Sequence, residues 1–181
     1  MLCKISFMSI RPVRTSDAAR IIEIYSPHIL SGPASFENEV PSLEDFQQRI
    51  SQNTLKFPWL VYEINGEVAG YAYASAHRSR CAYDWTAECS VYVDEIYHGR
   101  GIGKALYAEL FNLIKKQGVV NVLAGIALPN ERSIKLHEKM GFVACGTFKD
   151  AGFKLGKWWD VGWWQLQLQK PAKPESLRKP L

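Results

Sequence analysis

A short glycine-rich segment contains the residues of this chain that are best suited to binding a charged ligand. It lies between a strand-like run and a helix-like run, and its sequence is His98-Gly99-Arg100-Gly101-Ile102-Gly103-Lys104. Glycines at such a junction allow a sharp turn that directs several backbone N–H groups toward one point. Free amides and the helix dipole favour an anion at a helix N-terminus, and Arg100 and Lys104 add positive charge. The segment therefore predicts a site for a diphosphate.

Two familiar phosphate-binding loops fit this segment poorly. A Walker loop needs a glycine five residues before its Gly-Lys pair and a hydroxyl residue after it, whereas this chain has His98 and Ala105 there. A dinucleotide fingerprint needs a third glycine where Lys104 stands, and an acidic residue about 20 residues later. The chain reads Val119-Val120-Asn121-Val122 in that region. An ordinary glycine-rich turn before a helix remains the simplest alternative on glycine content alone.

Two segments taken together resemble the GNAT N-acetyltransferases. His98 to Gly103 follows that family's Gln/Arg-x-x-Gly-x-Gly/Ala loop, except that histidine stands where Gln or Arg is usual. Asn130 to Phe142 resembles the family's Asn-x-x-Ser-x-x-Leu-Tyr-x-x-x-Gly-Phe pattern, with His137 in place of the tyrosine. The resemblance implies an enzyme that transfers an acetyl group from acetyl-CoA, its cosubstrate, to an amine.

The same resemblance implies which residues bind the donor. In GNAT folds the strand before the phosphate loop splays from its neighbour, and its unpaired amides hold the thioester and pantetheine. That role falls to Val91, Tyr92 and Val93. Asn130 would contact the CoA arm. The pyrophosphate would lie against the loop residues Gly99, Arg100, Gly101, Ile102, Gly103 and Lys104.

Glu88 and His137 are the candidates for proton transfer. Glu88 lies three residues before Val91 on the same predicted strand, where it can act as a general base, directly or through a water. The alternative is a solvent-exposed glutamate at an edge. Imidazole titrates near neutral pH, so His137 can serve as an acid, a base or an orienting group. Its spacing alone fits a surface histidine on an amphipathic helix, and the GNAT resemblance is what favours a catalytic role.

One branch of that family, the phosphinothricin and methionine sulfoximine acetyltransferases, resembles the chain over roughly residues 8 to 169. Matching stretches include Phe57 to Val61, Ala82 to Glu88 and Ala151 to Gly162. The branch implies a homodimer and a small-molecule amine substrate, an amino-acid analogue with a carboxylate and a tetrahedral polar group. Arg80 can bind a carboxylate bidentately, with help from Arg78. Further candidates for the substrate pocket are Phe36, Tyr83 and Ser90.

Two other functions stay open. A GNAT enzyme could act on an ordinary amino acid, another amine or a peptide N-terminus, because acceptor pockets are built by variable loops. A CoA-binding protein without catalysis is the third possibility, and the histidine at position 98 gives it slight support. Glu88 and His137 argue against it, since a protein that only binds CoA needs neither.

These groups must be positioned by elements that the hydrophobic pattern predicts in the order β-α-α-β-β-β-α-β-α-β-β. The order indicates one layered α/β (α+β) domain, with a mixed, mostly antiparallel central sheet and helices on both faces, as in the GNAT fold. The last two strands are predicted over Phe142–Phe148 and Val161–Leu168. The domain is predicted over residues 8–169, followed by a basic, disordered tail over residues 170–181.

Composition excludes several other classes of protein. The net charge is +4, but residues 170–181 carry +3, which leaves +1 for the other 169 residues and does not favour nucleic acid. No apolar run approaches the roughly 20 residues of a membrane span, so no membrane partner is expected. Four widely spaced cysteines and no apolar leader favour free thiols in the cytoplasm. The four histidines lack metal-ligand spacing, so no metal is expected.

Overall fold

The computed structural model describes residues 7–180 of the chain. This part contains seven strands and four α-helices. The strands are β1 (Met8–Pro12), β2 (Trp59–Ile64), β3 (Glu67–Ala76), β4 (Thr86–Val93), β5 (Asn121–Ala127), β6 (Val143–Lys154) and β7 (Lys157–Gln167). The helices are α1 (Ala18–Leu30), α2 (Leu43–Asn53), α3 (Ile102–Gln117) and α4 (Glu131–Lys139). This order confirms the predicted sequence of elements.

The strands form one sheet in the order β1-β2-β3-β4-β5-β7-β6. All neighbouring pairs are antiparallel except β4 and β5, which run parallel. Helix α3 packs its apolar side against one face of the sheet, with Leu106 and Ile114 fully buried. Helices α1 and α2 cover the other face through Ile21 and Phe46. The mixed, mostly antiparallel sheet between two helical layers is thus confirmed.

The sheet is divided where its two parallel strands separate. Strand β4 pairs with β5 only from Thr86 to Glu88, opposite Asn121–Leu123. Beyond Glu88, β4 keeps its pairing with β3 up to Val93, whereas β5 keeps its pairing with β7. The backbone of residues 89–93 therefore has one side without a strand partner among the described residues. An opening with unpaired amides on one wall results.

The last two strands extend beyond the predicted ranges. They form a long hairpin, in which Lys154 pairs with Lys157 across the turn. The register shifts between Phe148 and Gly152, and Asp150 has a φ of 47°. Such a bulge interrupts the alternation of side chains, which is why the sequence pattern ended the predicted strand at Phe148. The hairpin also reaches back to the α1–α2 loop, because the Lys154 Nζ donates to the Ser35 carbonyl (2.6 Å).

The basic segment after β7 contains no helix or strand in its described residues, 170–180. Three contacts join part of it to the domain. The indole of Trp85 donates to the Glu175 carbonyl (2.8 Å), Leu177 packs against the core, and the Arg178 amide donates to the Gln117 carbonyl (2.9 Å). The boundary near residue 169 and the disorder of the tail stay predictions. None of the helices over residues 7–180 has the length and apolar character needed to cross a membrane.

Candidate active site

A groove of about 780 Å³ occupies the opening between β4 and β5. Its walls come from residues 89–93 of β4, residues 125–127 of β5, the start of α3 and one side of α4. His28 and Ala34 close it on the α1 side. Among the predicted donor-binding residues, all line the groove except Arg100, whose guanidinium lies 5.2 Å from the centre of the Tyr97 ring. One continuous cleft thus joins the phosphate loop to the unpaired part of β4.

The phosphate loop has the geometry expected of an anion site. Gly101 precedes α3 with a φ of 79°, in the left-handed region that favours glycine, and no side chain caps the helix. The first helical hydrogen bond runs from the Ala105 amide to the Gly101 carbonyl (3.0 Å). The amides of residues 102–104 therefore have no partner within the helix. These three residues line the groove at the positive end of a 16-residue helix, and Lys104 is one of them.

His98 makes a structural contact where GNAT loops usually have Gln or Arg. Arg132 of α4 donates to its Nδ1 (2.5 Å), and arginine cannot accept a hydrogen bond. The proton of the imidazole is therefore on Nε2, which donates to the Val93 carbonyl (2.8 Å). His98 thus connects the end of β4, the phosphate loop and α4, and both of its nitrogens are occupied.

Strand alternation places the β4 side chains on two different faces of the sheet. Cys89 and Val91 face α3, where the Tyr107 hydroxyl interacts with the Cys89 thiol. Glu88, Ser90 and Tyr92 face α1 and α2. On that side the Tyr92 ring contacts Tyr25, Tyr71 and His28, with ring centres 5.0 to 5.2 Å apart. The groove passes through the sheet, because residues of both faces line it.

His137 lines the groove on the α3 face and is only 4% exposed. Its Nδ1 lies 2.8 Å from the Ser133 carbonyl, so it carries the proton and donates there. Its Nε2 then accepts from the Tyr107 hydroxyl, 3.1 Å away. Burial lowers the pKa of His137, partly offset by the bond to Ser133. The imidazole is thus neutral, and the lone pair on its Nε2 is directed at the Tyr107 hydroxyl.

Tyr107 is a candidate that the sequence reasoning missed. The residue is fully buried on α3 and lines the groove, and burial holds the pKa of its hydroxyl well above its usual value. The signal was a hydroxyl-bearing residue among aliphatic ones on the buried side of the predicted helix. That pattern is typical of ordinary core tyrosines, so it did not indicate a functional group without the structure.

Glu88 occupies the last position at which β4 pairs with β5, directly before the opening. Its side chain is 34% exposed, and it does not belong to the lining of the groove itself. One of its oxygens, Oε1, lies 2.8 Å from Nδ1 of His77. Glu88 and His137 therefore lie on opposite faces of the sheet, Glu88 on the side of α1 and α2 and His137 beside Tyr107.

The predicted substrate residues come from strand β4 and from two separate loops. Ser90 lines the groove. Arg78, Arg80 and Tyr83 belong to the loop between β3 and β4, where the Arg78 guanidinium lies 5.7 Å from the Tyr83 ring centre. Phe36 lies in the α1–α2 loop and packs closely on the hairpin, since a Cβ at Gly152 would come within 2.5 Å of its ring. The structure does not bring these four loop residues into the groove lining.

A family model described as an acetyltransferase (GNAT) domain matches residues 10–163. The chain belongs to this family. It is 39% identical over 171 residues to phosphinothricin N-acetyltransferase of Streptomyces viridochromogenes, covering 94% of this chain and 93% of that protein. It is also 34% identical to an L-methionine sulfoximine/L-methionine sulfone acetyltransferase of Salmonella typhimurium, over 93% and 99% of the two chains.

A solved GNAT structure agrees with the fold and with the donor. A phosphinothricin acetyltransferase from Sinorhizobium meliloti, in complex with AcCoA, superposes with a TM-score of 0.86 at 36% identity. The match covers 92% of this chain and 94% of that one. The protein is accordingly a GNAT acetyltransferase that uses acetyl-CoA as cosubstrate. Its groove fits that donor, because it combines free helix amides and a lysine with an unpaired strand edge.

Replacing Gly101 by alanine tests the phosphate loop. A φ of 79° costs an alanine roughly 1–2 kcal/mol, and relief of that strain would turn the amides of residues 102–104 away from the groove. We expect the dissociation constant for acetyl-CoA to rise about tenfold, measured by isothermal titration. Gly146→Ala is the matched control, since its Cβ would meet open space without a positive φ. Equal affinities for both variants would contradict the assignment.

The buried, neutral His137 predicts a loss of stability in mild acid. The unfolded chain takes up a proton near the ordinary value of 6.5, whereas burial lowers the pKa in the folded protein. The free energy of unfolding should therefore fall as the pH decreases below about 6.5. His28 is half-buried, and burial lowers its pKa as well, so it adds to the effect. Urea titrations at several pH values should show a smaller fall for His137→Gln, and an unchanged fall would contradict this.

Proposed function

We propose that this GNAT enzyme acetylates the α-amine of a small amino-acid analogue such as phosphinothricin, methionine sulfoximine or methionine sulfone. The observation that carries the proposal is the groove that passes through the sheet. It leads from the phosphate loop to a face that carries Glu88, next to a loop with two arginines. The relatives named for these substrates cover nearly the whole chain, loops included.

The donor would lie along the groove with its pyrophosphate on the α3 amides. Lys104 supplies a positive charge there, and Asn130 lies farther along the CoA arm. The Asn130 Oδ1 is already used, because it accepts from the Ser133 amide (3.1 Å) at the start of α4. Asn130 lines the groove, so its NH₂ group would be the part that donates to the CoA arm. The pantetheine and thioester would run along the unpaired backbone of Val91, Tyr92 and Val93.

The reaction begins when the ammonium group of the substrate loses a proton, which we assign to Glu88 directly or through a water. The free amine attacks the thioester carbon, and a backbone amide of the unpaired β4 segment stabilises the oxyanion. Collapse of the tetrahedral intermediate breaks the C–S bond, and the CoA thiolate takes up a proton. The acetylated amide and CoA are the products.

The hydrogen-bond pattern defines what His137 can contribute to the last step. Its one proton is committed to the Ser133 carbonyl, and its other nitrogen accepts from Tyr107. The Tyr107 hydroxyl is the other proton carrier on this face, and its proton reaches the thiolate only when the hydroxyl turns away from His137 Nε2 as the C–S bond breaks. This role differs from direct proton donation by His137, which would require the imidazole to be charged in a buried position.

The acceptor would be bound by the two loops at the α1-facing end of the opening. Arg80 forms no ion pair with any residue in the range 7–180, so its guanidinium is available to a carboxylate. Arg78 can bind the tetrahedral end of the substrate, and Phe36 and Tyr83 supply apolar walls. Paired arginines suit an amino acid that carries negative or strongly polar groups at both ends.

Thiol release from acetyl-CoA, measured against a panel of acceptors, tests this function. The panel contains the three analogues, the ordinary amino acids, several polyamines and a short peptide. We expect turnover concentrated on the three analogues, and a decrease of about 10² to 10⁴-fold in Glu88→Gln with acetyl-CoA binding intact. Turnover confined to other amines would refute the acceptor, whereas full activity of Glu88→Gln would refute the base.

We further propose a homodimer formed through the β6–β7 hairpin. Strand β6 is an edge strand whose residues are almost all exposed on both faces. Large apolar side chains remain exposed there, including Phe153 (58%) and Trp158 (59%). An exposed edge with such side chains is typical of a subunit interface.

Sedimentation velocity tests the homodimer. We expect a species of twice the monomer mass, and dissociation in Trp158→Asp because a charge would be buried in the interface. Leu55→Asp is the control, since Leu55 is 79% exposed and lies outside the hairpin. A wild-type monomer at micromolar concentration would contradict the proposal.

The thiols support a reducing compartment, and we propose the cytoplasm. Cys81 and Cys145 are exposed and free, and Cys89 is buried and free. Burial raises the pKa of Cys89 to about 12, so this thiol is unreactive. Cys3 lies outside the described residues.

A further inference from the structure

We infer that His77 is a positioning residue for Glu88, which it holds in the orientation needed for a general base. The inference rests on the proposed role of Glu88. Its starting point is the 2.8 Å contact between Nδ1 of His77 and Oε1 of Glu88. No other hydrogen bond to the Glu88 side chain occurs among residues 7–180, so His77 alone constrains this carboxylate.

The tautomer of His77 follows from its other neighbour. The Nε of Arg78 donates to Nε2 of His77 at 3.3 Å, and a guanidinium cannot accept a hydrogen bond. Nε2 therefore carries the lone pair, and the proton is on Nδ1. The Nδ1–H group donates to Oε1 of Glu88 and leaves Oε2 available to take a proton.

The fold fixes the imidazole as well as the carboxylate. Ser75 of β3 pairs directly with Glu88 of β4, and His77 follows the end of β3 by one residue. The His77 ring meets Tyr83 and Trp163 edge-on, with centres 5.7 and 6.2 Å away, and its side chain is only 15% exposed. A ring packed between two aromatic side chains has little freedom to turn, so the hydrogen bond to Glu88 has a fixed direction.

The arrangement also couples the base to the acceptor loop. Arg78 contacts His77 through Nε, and its guanidinium lies against Tyr83. Binding of an acceptor by this loop would therefore reduce the mobility of Arg78 and His77, and His77 orients the carboxylate. A positioning residue of this kind contributes to kcat, whereas it leaves the affinity for the donor unchanged, since His77 does not line the donor groove.

A pair of nearly isosteric substitutions separates hydrogen bonding from packing. His77→Asn keeps an N–H donor close to the position of Nδ1, whereas His77→Leu has a similar shape and no donor. We expect His77→Leu to lose roughly ten- to a hundredfold in kcat with the acetyl-CoA dissociation constant unchanged. His77→Asn should recover most of that loss. Melting curves check that both variants have the same thermal stability, so that a difference in kcat does not come from unfolding.

The same pair in a Glu88→Gln background distinguishes the two claims. If His77 acts through Glu88, His77→Leu should have less than about a twofold further effect there. An inactive Glu88→Gln together with a fully active His77→Leu would overturn the positioning role and keep the base. A fully active Glu88→Gln would overturn the base, and the positioning role with it. Loss of kcat in His77→Asn equal to that in His77→Leu would also overturn the inference, because a hydrogen-bond donor at this position would then not restore activity.

Discussion

The incomplete pairing of two parallel strands is the constraint on which the rest of this structure depends. Strands β4 and β5 share only three paired positions, and each then stays with its other neighbour. Backbone amides that an ordinary sheet would satisfy internally are left for a ligand, which replaces the missing strand. The free-energy cost of leaving this strand edge unpaired is offset by the pairing of β4 with β3 and by the buried contacts between β4 and α3.

The same separation places the candidate catalytic groups on two faces of the sheet. A groove that passes through the sheet can receive the donor along α3 and α4 and the acceptor from the side of α1 and α2. Glu88 belongs to the second face, whereas His137 and Tyr107 belong to the first. In the proposed mechanism, the proton removed from the amine and the proton given to the thiolate are handled by groups on opposite faces of the sheet, with the β4 backbone between them.

The sequence predicted the elements, their order and the phosphate loop, because these depend on local patterns. Glycines before a helix and alternating apolar residues act over a few positions. The limits of the β6–β7 hairpin were wrong, since a bulge near Asp150 breaks the alternation. Tyr107 and His77 could not be found, because their partners are 30 and 11 residues away and depend on the packing of separate elements. Histidine at position 98 was recognised as a departure, but its bonds to Val93 and Arg132 required the fold.

Amide hydrogen exchange of the full chain, with and without acetyl-CoA, tests the central claim most directly. If the unpaired edge of β4 binds the donor, the amides of residues 89–93 should gain protection on binding, together with those of residues 102–104. The strands β1 and β2, which are remote from the groove, serve as the internal reference. Saturation with acetyl-CoA that leaves residues 89–93 unprotected would contradict the account, because the donor would then be bound elsewhere.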